Sequence, residues 1–241
     1  MLITSLDNNK IKKYIKLKDK KYRDIDKLFL VEGEHLVFEA LKSNRLVDLL
    51  VIEDYDFKID FPYTFVTLNI MKKLSNMEST PKVIGVVKMN DSNSIIGNRV
   101  VMLDDVRDPG NLGTIIRSSV AFNVTDIVLS RESVDLYNEK VIRATQGMIF
   151  KINIIRKDIV DIIKELKEKN YLILGTNVKN GTDVSFINTN KYALIMGNEG
   201  SGVKPEILNM CDKNIYIEMS PECESLNVGV ATSIILYELN K

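Results

Sequence analysis

The sequence predicts an α/β protein with two domains, a small α/β domain followed by a larger domain built on a mostly parallel sheet. In the second half, short continuous apolar runs alternate with helical patterns, as expected for parallel strands that are covered on both faces. A polar, turn-prone stretch near residues 89–94 separates this half from a differently patterned first half. We therefore expect domains at residues 1–90 and 98–241, joined by a linker at 91–97.

Composition narrows the classes of protein. The 241 residues are 45% hydrophobic, which is enough for one large core or two modest ones. The chain has 33 basic and 33 acidic side chains, so any affinity for nucleic acid has to come from local patches. Two cysteines and one histidine are too few for an ordinary zinc site, and we expect no metal. The same cysteine usage suggests a reducing, cytoplasmic setting. We expect neither a signal peptide nor a membrane span, because the start of the chain lacks a basic flank and no apolar stretch approaches about 20 residues.

The first half opens with a basic helix candidate within residues 10–23. Its apolar residues recur at helical spacing, so one face packs while basic side chains cover the other. That polar face is either an ordinary solvated surface or a patch that contacts phosphates. The candidate phosphate contacts are Lys12, Lys13, Lys16, Lys20, Lys21 and Arg23.

Short apolar runs predict strands at 28–31, 46–52, 64–67 and 83–87. An amphipathic helix pattern after the first of these runs contains His35, the only histidine. We favour a structural or solvent-facing His35 over a catalytic one.

In the second half, strands are predicted at 100–103, 126–129, 152–155, 171–174, 192–196 and 215–217. Helices fit residues 112–121, 157–169 and 228–239.

Three segments that follow strands carry glycine, asparagine and other polar residues. In the first, Pro109 and Gly110 turn the chain, and a helix starts near Leu112. Backbone N–H groups at such a helix start would face an anion. Arg117, one and a half turns into the helix, could point back toward the same crevice.

The second segment brings Gly197, Gly200 and Gly202 directly after an apolar strand, which lets the backbone approach a ligand closely. It lacks the lysine of a phosphate loop, and a tight structural turn is an alternative interpretation. In the third segment, Ser225 is placed to cap the final helix. Three such segments at strand ends of one sheet suggest a shared crevice.

These segments, in this order, resemble the three sequence motifs of the SpoU-type RNA ribose 2′-O-methyltransferases of the SPOUT superfamily. Asn111 and Arg117 match the first motif, and residues 197–200 match the second. Residues 225–228 match the third, and residues 140–147 resemble a helix that the family carries between the first two. Residues 20–23 and 29–33 resemble the family's accessory RNA-binding domain, which is similar to small ribosomal proteins.

The resemblance implies a C-terminal trefoil knot in the parallel sheet, a homodimer whose active site is completed by the partner subunit, and S-adenosylmethionine as the methyl donor, with no metal. It implies that Thr176, Gly197, Ile217 and Leu226 hold this cofactor. It gives catalytic roles to Asn111, Arg117, Glu199, Ser225 and Asn227.

The ribose hydroxyl has to lose its proton when it attacks the methyl carbon. The resemblance implies that Arg117 could be the base that accepts this proton, but guanidinium is a poor base, since its pKa exceeds about 12. We therefore expect Arg117 to bind an adjacent RNA phosphate and to stabilise developing negative charge. The accessory domain favours ribosomal RNA as the substrate. A transfer-RNA ribose methyltransferase, an enzyme that methylates a base nitrogen and a non-catalytic RNA-binding homologue remain open alternatives at this point.

Overall fold

Strands and helices are found in both halves of the chain in the computed structural model, which describes residues 2–178 and 181–241. The strands of this described part are β1 (Leu2–Ile3), β2 (Leu28–Glu32), β3 (Leu46–Ile52), β4 (Thr64–Val66), β5 (Val83–Lys88), β6 (Arg99–Leu103), β7 (Asp126–Leu129), β8 (Asn153–Arg156), β9 (Leu172–Thr176), β10 (Thr182–Asp183), β11 (Tyr192–Met196) and β12 (Lys213–Tyr216). The α-helices are α1 (Asn9–Lys16), α2 (Lys20–Asp26), α3 (Glu34–Lys42), α4 (Leu68–Leu74), α5 (Pro109–Ala121), α6 (Glu139–Ala144), α7 (Ile159–Glu168), α8 (Pro205–Leu208) and α9 (Val228–Leu239).

The chain divides into two units. One contains residues 2–90 together with Asp135–Phe150, and the other contains Asp91–Val134 together with Lys151–Lys241. Sequence patterning assigned residues 135–150 to the second domain, whereas their contacts are with the first unit. The domain limits of 1–90, 91–97 and 98–241 stay a prediction.

The first unit is built on a mixed five-stranded sheet in the order β1-β4-β3-β5-β2. Strand β5 runs antiparallel to both of its neighbours, whereas β4 pairs in parallel with β1 and β3. Apolar side chains of α1 and α4 pack with the sheet, and Ile11, Ile70 and Ile84 are fully buried. This agrees with the small α/β domain predicted from the sequence.

The basic segment forms two helices rather than one. Asn8 caps α1 by accepting hydrogen bonds from the backbone of Lys10 and Ile11. The helix stops at Lys16, and α2 runs from Lys20 to Asp26 and is followed by Lys27, whose φ of 55° is left-handed. Apolar spacing alone predicted one continuous helix because it does not register the turn at residues 17–19.

Residues 135–150 complete the core of the first unit. The ring of Phe29, which is fully buried, lies 4.7 Å from that of Tyr137 and 6.4 Å from that of Phe150. His35 is solvent-facing, as predicted, and its Nε2 lies 3.1 Å from the carbonyl oxygen of Gln146.

The second unit contains a seven-stranded sheet in the order β10-β12-β9-β11-β6-β7-β8, in which every strand pair is parallel. Its central strand β11 is buried along its whole length, as its continuous apolar run predicted. The α/β class with a mostly parallel sheet is therefore confirmed, and the trefoil knot stays a prediction. No helix in the described part of the chain is long and apolar enough to cross a membrane.

One helix start and one helix cap in this unit differ from the prediction. Helix α5 begins at Pro109 rather than near Leu112, because proline suits the first helical position and Asp108 caps the helix. Helix α9 begins at Val228 as predicted, but its cap is Asn227 and not Ser225. Asn227 Oδ1 accepts hydrogen bonds from the backbone of Gly229 and Val230.

Candidate active site

A cavity of about 570 Å³ lies where β9, β11 and β12 reach their carboxyl ends. Thr176 is the last residue of β9, Gly197 follows β11 and Ile217 follows β12. The segment before α9 closes the cavity with Leu226. All four residues expected to hold a cofactor thus line one cavity, since parallel strands bring their carboxyl ends to the same edge of the sheet.

The glycine segment after β11 is a closed loop that forms one wall of this cavity. The backbones of Asn198 and Gly202 exchange two hydrogen bonds of 3.0 Å. The returning chain passes so close to Gly197 that a Cβ there would lie 2.0 Å from the carbonyl carbon of Gly202. Gly202 itself has a left-handed φ of 69°. The tight turn that the sequence offered as an alternative therefore exists, and it also lines the cavity.

Thr176 faces the loop from the neighbouring strand. Its hydroxyl donates a hydrogen bond to the carbonyl oxygen of Ile195 at 2.9 Å. This bond fixes the rotamer of Thr176 and joins the ends of β9 and β11 beneath the cavity.

Side chains from all three sequence motifs meet in a polar chain beside the cavity. Asn111 Nδ2 donates to Glu199 Oε1 at 3.1 Å. Asn227 Nδ2 donates to Asn111 Oδ1 at 2.8 Å. Glu199 and Asn227 line the cavity, whereas Asn111 is 9% exposed and lies behind them. Asn111 is 88 positions from Glu199 and 116 positions from Asn227 in the sequence, so only the fold brings them together.

Glu199 is held as a carboxylate. Its oxygens also accept hydrogen bonds from the backbone N–H groups of Asp108, at 3.0 Å, and Arg107, at 3.3 Å. Burial opposes the charged form, but the hydrogen bonds from Asn111, Asp108 and Arg107 outweigh it and lower the pKa of Glu199. The carboxylate therefore acts as an acceptor that ties the glycine loop to the start of α5.

Ser225 lines the same cavity but is exposed. Its backbone carbonyl lies 3.4 Å from the thiol of Cys223, within the loop that precedes α9. Ser225 is therefore placed to contact a ligand, and its expected capping role belongs to Asn227.

Arg117 does not point into this cavity. It is exposed, it is not among the lining residues, and within the described residues it makes no hydrogen bond or ion pair. Its neighbours on the exposed stripe of α5 are Gly110, Thr114 and Ala121. The expectation that Arg117 turns back to the crevice of its own chain is not met, because six helical positions place it on a different face from Asn111.

Helix α9 packs beside α5 and adds an apolar stripe to this face. Ser118 and Ser233 hydroxyl oxygens lie 2.6 Å apart, and a Cβ on Gly229 would come within 3.1 Å of Thr114. Val230, Ile234 and Tyr237 are 46%, 36% and 52% exposed and follow one another at helical spacing. The exposed surfaces of the two helices therefore carry small and apolar side chains as well as Arg117.

The candidate phosphate contacts of the first unit have different surroundings. Most are exposed lysines: Lys12 pairs with Asp7, Lys13 with Asp26 and Lys20 with Asp24, while Lys16 and Lys21 lie against the ring of Tyr22. Arg23 differs, because it is 5% exposed. It donates to the carbonyl oxygens of Leu17 and Lys18 and pairs with Asp135. Its guanidinium is a structural tie and is not presented to a phosphate.

Sequence patterning missed two groups near the cavity. Asp108 Oδ1 accepts the backbone N–H of Asn111 at 2.8 Å and so places the helix start, and an aspartate before Pro-Gly is a recognisable signal for this. Lys204 Nζ lies 3.1 Å from Asp104 Oδ1 and 2.9 Å from Asp105 Oδ2, and no local sequence pattern predicts these ion pairs. Among the described residues, no group of three or more histidine, cysteine or acidic side chains is arranged to hold a metal ion.

Comparison with known proteins supports the family resemblance noted in the sequence. Residues 98–237 match the model of the SpoU rRNA Methylase family, and residues 8–85 match that of the MRM3-like substrate binding domain. A curated relative, the 23S rRNA (guanosine(2553)-2′-O)-methyltransferase RlmP of Bacillus subtilis, is 35% identical over 98% of this chain and 98% of its own length.

Among solved structures, the AdoMet-bound rRNA methyltransferase from Sinorhizobium meliloti superimposes with a TM-score of 0.86 at 28% identity, covering 99% of this chain and 96% of that one. The SpoU methyltransferase AviRb from Streptomyces viridochromogenes shares the fold, with a TM-score of 0.83 at 22% identity and coverage of 96% of each chain. These matches confirm the resemblance carried by the three motifs. The chain belongs to the SpoU rRNA methylase family.

Proposed function

We propose that this protein transfers a methyl group from S-adenosylmethionine to a ribose 2′-hydroxyl of ribosomal RNA. The observation that carries the proposal is that side chains of all three family motifs meet beside one cavity, where Asn111, Glu199 and Asn227 form a continuous hydrogen-bonded chain. The RNA class follows from the family and from the relative whose name specifies 23S rRNA. Such a substrate implies that the protein works in the cytoplasm.

The cavity suits the cofactor. Its volume, about 570 Å³, lies within the range of ligand sites, which is about 300 to 1,000 Å³. Gly197, Ile217 and Leu226 would hold the cofactor through backbone groups at the strand ends, and Thr176 lies beside them. The close return of the chain over Gly197 leaves no room for a side chain there, so the backbone of the glycine loop itself forms this wall of the cavity. When bound, S-adenosylmethionine supplies a methyl group on a positively charged sulfur.

The residues of the chain would act mainly by alignment. An in-line displacement needs the ribose oxygen held at the methyl carbon, and such orientation supplies much of the rate. Glu199 would hold the glycine loop against the start of α5, and Asn111 would link Glu199 to Asn227, which lines the cavity. Ser225, exposed at the rim, would contact the ribose.

Arg117 would act in the cavity of a second copy. We propose a homodimer formed through the exposed face of α5 and α9, which carries Val230, Ile234 and Tyr237. Arg117 lies on this face, so a two-fold contact would direct it away from its own chain and toward the partner. There it would bind an RNA phosphate and stabilise the negative charge that develops as the hydroxyl loses its proton.

The first unit would bind the RNA substrate. Its exposed basic side chains Lys12, Lys13, Lys16, Lys20 and Lys21 lie on α1 and α2 or directly at their ends. Residues 8–85 match a substrate-binding domain, which supports this role.

The decisive experiment maps 2′-O-methylated positions in total RNA from cells with and without the gene. We expect one ribosomal position to lose its methyl group in the deletion strain and to regain it with the wild-type gene but not with Glu199→Gln. Loss of a transfer-RNA methylation instead would assign the alternative substrate. An unchanged pattern would contradict the proposed activity.

A further inference from the structure

Three hydrogen-bonded links join the loop after β6 to the loop after β11. Asn198 Nδ2 donates to the carbonyl oxygen of Asp105 at 2.9 Å. The Glu199 carboxylate accepts the backbone N–H groups of residues 107 and 108. At the far end of the glycine loop, the backbone N–H of Lys204 donates to Asp104 Oδ2 at 3.0 Å.

The Lys204 ammonium reinforces the third of these links. Its Nζ lies 3.1 Å from Asp104 Oδ1 and 2.9 Å from Asp105 Oδ2. The lysine side chain is 45% exposed, whereas the Asp104 side chain is only 1% exposed. One cation therefore compensates two neighbouring carboxylates at the edge of the cavity wall.

These two carboxylates need that compensation. Asp105 has a φ of 62°, a left-handed conformation that is uncommon outside glycine but that aspartate tolerates, and Ser130 holds it there with bonds of 3.0 and 2.7 Å. The hydrogen bond to Asp105 raises the pKa of Lys204 despite partial burial. Burial opposes the charged form of Asp105, yet bonds from Lys204 and Ser130 lower the pKa of its carboxyl. Both groups are therefore charged at neutral pH.

We propose that Lys204 is a positioning residue for the cofactor. By neutralising Asp104 and Asp105, it holds the 197–203 loop against the 104–108 loop and keeps the cavity wall in its binding conformation. This inference rests on the proposed function, because the occupant of the cavity is taken to be S-adenosylmethionine.

The test compares cofactor affinity and single-turnover rate in full-length variants. Lys204→Met keeps the aliphatic stem and removes the charge, which leaves two uncompensated carboxylates, one of them buried. Because the lysine is partly exposed, we expect the dissociation constant for S-adenosylmethionine to rise by about tenfold. The single-turnover rate at saturating cofactor and RNA should fall by less than about threefold, since the chemical groups are intact. Lys169→Met, which removes an exposed lysine paired with Glu165, is the matched control.

A charge-removing second change separates positioning from simple packing. If repulsion between the carboxylates opens the loop, Lys204→Met combined with Asp105→Asn should recover at least half of the lost affinity on a logarithmic scale. Asparagine also tolerates the left-handed conformation of residue 105. Lys204→Arg should retain most of the affinity. If Lys204→Met does not fold, the double variant and Lys204→Arg still decide the question.

Three outcomes are separable. Wild-type protein that binds no S-adenosylmethionine would contradict the proposed function. Wild-type binding with unchanged affinity in Lys204→Met, or a double variant no better than Lys204→Met, would overturn the positioning role alone. A weakened Lys204→Met that the second change restores would support it.

Discussion

The side-chain amide of Asn227 donates a hydrogen bond of 2.8 Å to the side-chain oxygen of Asn111. Asn111 in turn donates to Glu199, so the orientation of its amide is set from both ends. The oxygen of Asn227 caps α9, which fixes that residue as well. The arrangement couples the start of the last helix to the motif residues of α5 and of the glycine loop.

Asn227→Asp separates capping from this coupling. Aspartate caps a helix as well as asparagine does, so the melting temperature should change little. It cannot donate to Asn111, and loss of this one oriented bond should lower the methyl-transfer rate by about tenfold. Calorimetry and single-turnover rates on the same protein measure both effects. A methyl-transfer rate equal to that of wild type would mean that Asn227 only caps.

Gly197→Ala tests whether the tight packing of the glycine loop over residue 197 matters for cofactor binding. The new methyl group would meet the carbonyl carbon of Gly202 at 2.0 Å, which the loop can relieve only by opening. Overpacking of this kind costs about 1 to 3 kcal/mol, so cofactor affinity should fall by about 5- to 150-fold. The control is Gly200→Ala, where the nearest atom would be Asn198 Oδ1 at an ordinary 3.6 Å. Equal affinities of the two variants in a calorimetric titration would refute the role of Gly197.

The Glu199 carboxylate gives a pH dependence of stability. Its pKa is lowered in the folded protein, so its stabilising contribution is fully present above the ordinary value of 4.5 and is lost as the pH falls through the lower, folded value. We expect Glu199→Gln to melt at a lower temperature than wild type at pH 7. The difference should shrink below pH 4.5. A difference that stays constant down to pH 3 would show that the Glu199 charge does not stabilise the loops.

Local patterning predicts much of this fold. The runs at 46–52, 126–129 and 192–196 form strands with the same limits, because continuous apolar sequence reports directly on burial between two layers. The packing of residues 135–150 with the first unit was not predictable, since it depends on partners such as Phe29 that are distant in sequence. Deleting residues 1–90 would therefore leave Tyr137 and Phe150 without their aromatic partner.

In the site too, contacts between residues distant in sequence could not be predicted. The glycine loop and its cavity could be placed from the sequence, because strand ends of a parallel sheet share an edge. Arg23 and Lys21 look alike in the sequence, but Arg23 is buried because Asp135 and two carbonyl groups surround it. Whether a charged side chain is exposed or paired depends on contacts across the fold.

The lysines of the first unit should differ in their effect on RNA binding. Lys16 and Lys21 lie against Tyr22 and, among the described residues, pair with no carboxylate, whereas Lys12 and Lys20 each do. Changing Lys16 and Lys21 together to glutamine should lower the slope of log affinity against log salt by up to about 1.4 to 1.8, which is two phosphate contacts. Lys169→Gln, in the second unit, should leave the slope unchanged. If the double variant also leaves it unchanged, the patch is an ordinary solvated face.

Methyl transfer by a mixture of two inactive variants tests the central claim most directly. Arg117→Ala should lower the rate by about 100- to 1,000-fold, as the loss of one preorganised donor does. Glu199→Gln should also lower the rate, because Glu199 belongs to the cavity of its own chain. If Arg117 serves the partner's cavity, a mixed dimer has one site in which both residues are intact.

The measurement is the amount of 2′-O-methylated nucleoside released from ribosomal RNA after incubation with labelled S-adenosylmethionine. Co-refolded in equal amounts, the two variants should recover about a quarter of wild-type activity, because half of the dimers are mixed and each has one intact site. All of the label should be on ribose. A mixture no more active than either variant alone would contradict the shared site, and label on a base would contradict the proposed reaction.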